Sequence, residues 1–402
     1  MTTSIQPNEI MERAKAVFEQ VRTWRRTIHA HPEISFTEVQ TARLVQSVLN
    51  ELGVEAETAV ARTGVVGRIE GGAGPTVGLR ADMDALPILE ENGFEFDSQR
   101  SGLMHACGHD AHTAILMGAA TLLKGFADEG RLPGNVRLLF QPSEEARDEN
   151  GLSGAAMMIQ EGALKEVDAV FGLHVDTKTE VGKVATREGT LMAAGDTFDL
   201  KIKGFGGHGA RPHLANDPIL IASQVVQAIN NIISRRIDPL APGVISVCTF
   251  HAGTARNVIP ETVEIGGTIR SMTEDVREQL YEELERACSI AEAMGGRYEL
   301  EIQKGLPPTV CDPKATAVAF DALNPLLGED KTFVMDPMMA SEDFSYMLKE
   351  APGAFLRLGV RNPEWDREYP VHTSTFRIDE EALLVGVASL TAVAIQWMES
   401  QQ

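Results

Sequence analysis

Six side chains in this 402-residue sequence stand where they could do chemistry: Cys107, His109, Glu144, Glu145, His174 and His372. Most close an apolar run. TVGLRADMDALP closes on Asp82 and Asp84, GLMHACGHDAH carries Cys107 and His109, VRLLFQPSEE ends in Glu144 and Glu145, and AVFGLHV ends in His174. His372 follows in YPVHTSTF. Polar clusters at the carboxyl ends of buried strands mark the place where open α/β sheets put their active sites. Thiolate, imidazole and carboxylate donors in one crevice suit a borderline transition metal such as zinc. The chain reads as a metal-dependent enzyme.

Each residue also has a plainer reading. Cys107 and His109 flank a glycine on a turn ahead of a helix, so both can face one pocket; alone, they would be a buried cysteine and a helix-capping histidine. A second alternative makes Cys107 a nucleophile activated by His109, which leaves the nearby carboxylates without a purpose. Glu144 and Glu145 are adjacent like charges after an apolar strand, and a cation between or beside them would relieve their repulsion. One would be a ligand and the other a general base, unless both form only an acidic helix start. Asp82, Asp84 and Asp110 can bind metal directly or stand behind the imidazoles and fix their tautomers; for Asp84 and Asp110 the supporting position is expected. His29 and His31 in RRTIHAHPE are read as structural.

The elements that must position these residues alternate up to about Lys183. Helices are predicted over Asn8 to Ala30, Thr37 to Leu52 and Thr113 to Phe126. Strands are predicted near Val65 to Ile69, Thr76 to Ala81, Val136 to Gln141 and Ala169 to His174. This is the pattern of an α/β fold, a mostly parallel sheet with flanking helices. From about Ala194 the order becomes βαββαβ: TFDLKIKG, a helix over Ala215 to Ile233, VISVCTFHAG, ETVEIGGTIRS, a helix over Glu274 to Met294, and RYELEIQKG. That order predicts an inserted ferredoxin-like α+β domain. The expected division is residues 1–188 with 306–402 as one discontinuous domain and 189–305 as the insertion. In the insertion, His208 lies in GFGGHGARPH, and NVIPETVEIGGTIR supplies Asn257 and Arg270, whose guanidinium could hold a carboxylate through two hydrogen bonds.

Bulk properties narrow the function classes. A prior of about 150 residues per domain suggests two or three domains. Fifty-eight acidic against 36 basic side chains give a formal charge of −22, which disfavours nucleic acid and anionic membrane as partners. The amphipathic start reads as a first helix and not a signal peptide. LLVGVASLTAVAI is shorter than the roughly 18 residues a membrane span needs and reads as a buried helix. Four scattered cysteines suggest reduced thiols and a cytoplasmic home.

Taken together, RRTIHAHPE, GLRADMDALP, MHACGHDAH, QPSEE, GLHV, GGHGARPH, GTARNVIPE, MASEDFSYM and VHTSTF, in that order and over nearly the whole length, resemble a known family. It is the metal-dependent amidohydrolases that include hippurate hydrolase, indole-3-acetyl-amino-acid hydrolase and related N-acyl-amino-acid amidohydrolases, a branch of the aminoacylase and glutamate carboxypeptidase superfamily. The resemblance implies a zinc-exopeptidase-like catalytic domain with two divalent transition-metal ions, zinc, manganese, nickel or cobalt. The implied ligands are Cys107, His109, Glu145, His174 and His372, with Glu144 as catalytic base. It further implies that the insertion is a lid and dimerisation domain of a homodimer or homotetramer. There His208 would stabilise an oxyanion in its own or a neighbouring subunit's site, and Asn257 and Arg270 would contact a small N-acyl amino acid. The sequence departs from the wider superfamily at Cys107, where many members use a bridging aspartate, and at Asp82, where they use a metal-binding histidine.

Overall fold

The computed structural model describes residues 4–401, which divide into two compact units. The first contains the described residues up to Leu191, then Val310–Asp336 and everything from Tyr346 onward. The second contains Met192–Thr309 and also Pro337–Ser345, a segment that the sequence reading grouped with residues 306–402.

The first unit is built on an eight-stranded sheet in the order Glu55–Val60, Gly64–Ile69, Asn135–Gln141, Thr76–Asp82, Ala169–Glu180, Gly353–Arg361, Val184–Thr186, Thr332–Val334. Its four middle strands, from Asn135–Gln141 to Gly353–Arg361, run parallel. Antiparallel partners enter on both sides. Helices cover the middle strands, which explains why NVRLLFQ and AVFGLHV are continuous apolar runs and not alternating ones. Gly353–Arg361, a central strand, and the helix Pro313–Leu327 lie where the sequence reading resolved only general α/β patterning.

His109–Asp128 is buried along almost its whole length and packs against Pro7–Ala30 and Glu381–Ser400. Glu381–Ser400 is long and apolar enough to cross a membrane, but most of it is buried inside this unit. A charged cluster inside the helix layer ties the first helix to the third. Arg25 Nε donates to Asp110 Oδ2 at 2.7 Å, and His29 lies between Asp110 Oδ2 at 2.8 Å and Glu90 Oε1 at 2.9 Å. Burial disfavours ionised Asp110, yet Arg25 and His29 outweigh it and hold the carboxyl far below its usual range.

The second unit has the βαββαβ order. Its sheet runs Gly243–Ala252, Thr262–Ser271, Ala194–Lys203, Arg297–Leu306, antiparallel throughout, with helices Pro218–Arg235 and Glu274–Cys288. Alternation in Ala194–Lys203 turns Phe198, Leu200 and Ile202 into a core with Ile221, Val225, Ile229, Leu280 and Leu284. Asp217 and Thr273 cap the two helices by accepting from Ile219 N and Val276 N. This is the ferredoxin-like arrangement.

Replacing Arg25 removes the cation from a fully buried carboxylate, a loss worth about 3–5 kcal/mol. Arg25→Leu is therefore expected to lower the denaturant midpoint of the first unit strongly, as followed by circular dichroism. A change below about 1 kcal/mol would contradict this account of how the helix is held.

Candidate metal centre at the carboxyl ends of the parallel strands

The site grows from strand ends. Asp82 is the last residue of Thr76–Asp82, and Gln141 closes the neighbouring strand just before Ser143, Glu144 and Glu145. His174 does not end its strand as expected. Ala169–Glu180 continues past it, pairing His174 with Arg357 of the next strand. The helix expected from Thr113 begins at His109, so His109 and Asp110 form its first turn and only Cys107 remains on the turn before it. Gly108 between them has φ +90, and a Cβ there would lie 2.7 Å from Val175 Cγ2. Only glycine fits both the left-handed backbone and the space.

Cys107 Sγ sits 3.3 Å from His174 Nε2 and 3.3 Å from His372 Nε2. Glu145 Oε1 approaches His372 Nε2 at 3.0 Å, outside hydrogen-bond alignment. Donor atoms of Cys107, His109 and His174 lie within 4.8 Å of one another, as do those of Cys107, Glu145 and His372, and those of His109, Glu144 and Glu145. All six candidate residues of this unit thus meet around one centre. His372 has φ +61, and its N–H bonds to Ala106 O at 2.7 Å, which holds this strained residue beside Cys107.

The carboxylates behind these groups set their orientation. Asp84 Oδ1 accepts from His109 Nδ1 at 3.1 Å and from Glu144 N at 3.1 Å; Asp84 Oδ2 accepts from Ser35 Oγ at 2.6 Å and from Glu145 N at 3.0 Å. His109 therefore carries its proton on Nδ1 when neutral and turns Nε2 inward. His174 does the same, with Nδ1 donating to Val175 O at 2.7 Å. Asp82 accepts from Arg80 Nη1 and His112 Nδ1, both at 2.6 Å, while His112 Nε2 accepts from Val175 N at 3.0 Å. Asp110 bonds Arg25 and His29 and none of the candidate ligands, so it braces the helix and orients no imidazole of the centre.

Charge in this crevice is unevenly balanced. Burial opposes a charged His109, but Asp82, Cys107 and Asp84 outweigh it and raise its pKa well above the ordinary value. Burial, followed by Arg357, keeps His174 neutral far below its ordinary range. The field that favours a proton on His109 would equally favour a metal cation. His109 Nε2 and Glu145 Oε1 are buried without a hydrogen-bond partner, as atoms poised on an absent cation would be. With a thiol and imidazoles beside carboxylates, the donor set fits a divalent transition metal.

In the second unit, His208 is exposed on a short ribbon, Gly207–His208 paired with Val258–Ile259. Its Nδ1 accepts from Ala210 N at 3.0 Å, leaving Nε2 as the donor. Asn257 is next to it, its carbonyl accepting from Gly209 N at 2.8 Å. Arg270 stands elsewhere on this unit, half-buried on Thr262–Ser271, with Nη1 donating to Ser341 Oγ. A Cβ at Gly195 would fall 2.4 Å from that Nη1, so the glycine makes room for the guanidinium. Sequence reasoning passed over Arg80, His112, Ser341 and Gly195. His112 was legible as the i+3 partner of His109 on one helix face.

Burial pushes the Cys107 thiol up to about 12, with His109 opposing only in part. A metal-free thiol so placed is not a ready nucleophile. Iodoacetamide at pH 7.5 should alkylate exposed Cys248 well before Cys107 in metal-free protein, as read by peptide mapping. Rapid labelling of Cys107 would restore the thiol-nucleophile reading.

Residues 78–396 match the model of peptidase family M20/M25/M40. Thermostable carboxypeptidase 1 of Saccharolobus solfataricus is 41% identical over 97% of this chain and 99% of its own length. N-acetyl-L-cysteine deacetylase of Bacillus subtilis is 39% identical over 94% of this chain and 88% of its own. The crystal structure of Bacillus subtilis YXEP protein, described as a dinuclear metal binding peptidase from the M20 family, superimposes with a TM-score of 0.83 at 34% identity, covering 96% of this chain and 99% of that one. The chain belongs to peptidase family M20/M25/M40 and is a hydrolase of its amidohydrolase and peptidase type.

Proposed function

We propose that this protein hydrolyses the amide bond of N-acyl-L-amino acids, such as hippurate, N-acetyl or related aryl-acyl conjugates, to a carboxylic acid and an amino acid. The observation that carries the reading is the meeting of Cys107, His109, Glu144, Glu145, His174 and His372, with His109 Nε2 and Glu145 Oε1 buried without a hydrogen bond. Similarity to a deacetylase of an N-acetyl amino acid supports the substrate class. Two divalent ions, drawn from zinc, manganese, nickel and cobalt, would be held by Cys107, His109, Glu145, His174 and His372; the dinuclear relative supports the number. When bound, such ions lower the pKa of water toward about 7 and offset negative charge on a polarised carbonyl.

The chain's own residues supply the rest. Glu144 takes the proton of the attacking water and returns it to the leaving nitrogen. Asp84 steadies Glu144 through its backbone N–H and fixes the His109 tautomer. His208, from this or a neighbouring subunit of a lid-mediated homo-oligomer, donates Nε2–H to the oxyanion. Arg270, aimed by Ser341, holds the substrate carboxylate, and Asn257, which stands beside His208, contacts it from whichever subunit supplies His208.

A second reading, a carboxypeptidase or dipeptidase on the same scaffold, is favoured by the 41% identity to a thermostable carboxypeptidase. Hippurate, N-acetyl amino acids and dipeptides assayed side by side on the metal-reconstituted enzyme separate the two, and preference for dipeptides would overturn the first. General-base catalysis is worth roughly 10²- to 10⁴-fold, so Glu144→Gln should lose kcat by about that factor or more while still binding metal. Near-full turnover would remove Glu144 from the reaction. His372→Ala should lose at least one metal equivalent by elemental analysis. Unchanged stoichiometry would show that His372 is not a ligand.

A further inference from the structure

Glu38 occupies the N-cap position of Val39–Glu51, yet its side chain makes no capping hydrogen bond. That duty falls to Glu33, whose Oε2 accepts from Gln40 N at 2.8 Å, Thr41 N at 3.0 Å and Thr41 Oγ1 at 3.2 Å. The Glu38 carboxylate turns inward instead and is fully buried. There Oε1 accepts from Phe36 N at 3.0 Å and from Ser143 N at 2.8 Å, and Oε2 accepts from Thr63 Oγ1 at 2.5 Å.

Three separate segments therefore end on one carboxylate, and each carries backbone that side-chain-bearing residues avoid. Phe36 has φ +62, Ala61 and Arg62 just before Thr63 have φ +50 and +78, and Ser143 has φ +47. Such conformations persist only where the surroundings over-determine them. Ser143 immediately precedes Glu144 and Glu145, whose own N–H groups are taken by Asp84. Three consecutive amides at the end of the strand Asn135–Gln141 are thus received by two buried carboxylates. From outside, Arg62 stacks over Phe36 at 4.6 Å and bonds Asp148 farther along the same loop at 2.9 Å.

We infer that Glu38 is a positioning residue of the hydrolase: by receiving Ser143 N–H and bracing two other strained turns, it sets the loop that presents Glu144 and Glu145. The inference rests on the role proposed for Glu144 but assigns Glu38 no contact with substrate. Burial and the neighbouring Asp84 charge raise its pKa to about 7. Glutamine can reproduce all three contacts, with its carbonyl accepting both amides and its amide donating to Thr63 Oγ1. Alanine can reproduce none.

The test compares metal-reconstituted Glu38→Ala and Glu38→Gln with wild type on hippurate or the best N-acyl amino acid found. Glu38→Ala should lower kcat at least tenfold with KM changed less than threefold, and Glu38→Gln should recover most of the loss. Trypsin should cut after Arg147 at least fivefold faster in folded, metal-free Glu38→Ala than in wild type. If the alanine variant does not fold, Thr63→Val, which frees Oε2, must lower kcat without moving KM. Wild-type kcat and wild-type cleavage in the variants overturn the inference, as does a glutamine variant no better than alanine. Glu144→Gln is run in parallel: if it is active, the base assignment fails; if it is inactive while Glu38→Ala is not, the positioning role of Glu38 fails.

Discussion

The structure around the candidate metal centre depends on carboxylates that are buried and must be answered by donors. Asp84 is the clearest case. Its two oxygens receive an imidazole, a hydroxyl and two backbone amides, so a single side chain sets the His109 tautomer and the course of the loop carrying Glu144 and Glu145. A carboxylate out of water is costly unless its lone pairs are satisfied. Here that requirement draws the segments of residues 33–38, 82–85, 109–112 and 143–145 to one place. The hydrogen bonds outweigh burial and hold Asp84 ionised below its usual range.

The same requirement organises charge one layer further out. Asp82 is paired with Arg80 and His112, and Asp110 with Arg25 and His29, so each of these two buried aspartates has a cation and an imidazole beside it. Within the centre, His109 Nε2 and Glu145 Oε1 are buried without a hydrogen bond, although His372 Nε2 stands 3.0 Å from that Oε1. Asp82 and Asp84 have both oxygens met by donors within the protein, whereas Asp110 Oδ1, His109 Nε2 and Glu145 Oε1 are buried without one.

Much of this was legible in the sequence because apolar runs ending in reactive side chains are local signals. The strand ends at Asp82 and Gln141, and with them the α/β class and the ferredoxin-like unit, follow from patterning alone. What escaped notice acts at a distance. Glu33, Ser35 and Glu38 look like an ordinary acidic helix start, and nothing nearby in the chain reveals that Ser35 and Glu38 serve residues 84 and 143. Asp110 is expected to stand behind the imidazoles of the centre, but one step along the helix from His109 turns a side chain by about 100°, toward Arg25 and His29. The segment Pro337–Ser345 was grouped with its sequence neighbours, whereas Ala193 N bonds to Met338 O and Ala340 O across the chain and Ser341 meets Arg270 in the second unit.

The contact between His372 and Cys107 spans 265 residues. Closing so long a loop is entropically demanding and makes topology, not local propensity, the slow part of assembly. During synthesis from the N-terminus, Cys107, His109, Glu145 and His174 all leave the ribosome well before His372 does. The centre is therefore complete only when the strand Gly353–Arg361 and the turn bearing His372 have joined the segments that carry Cys107, His109 and His174.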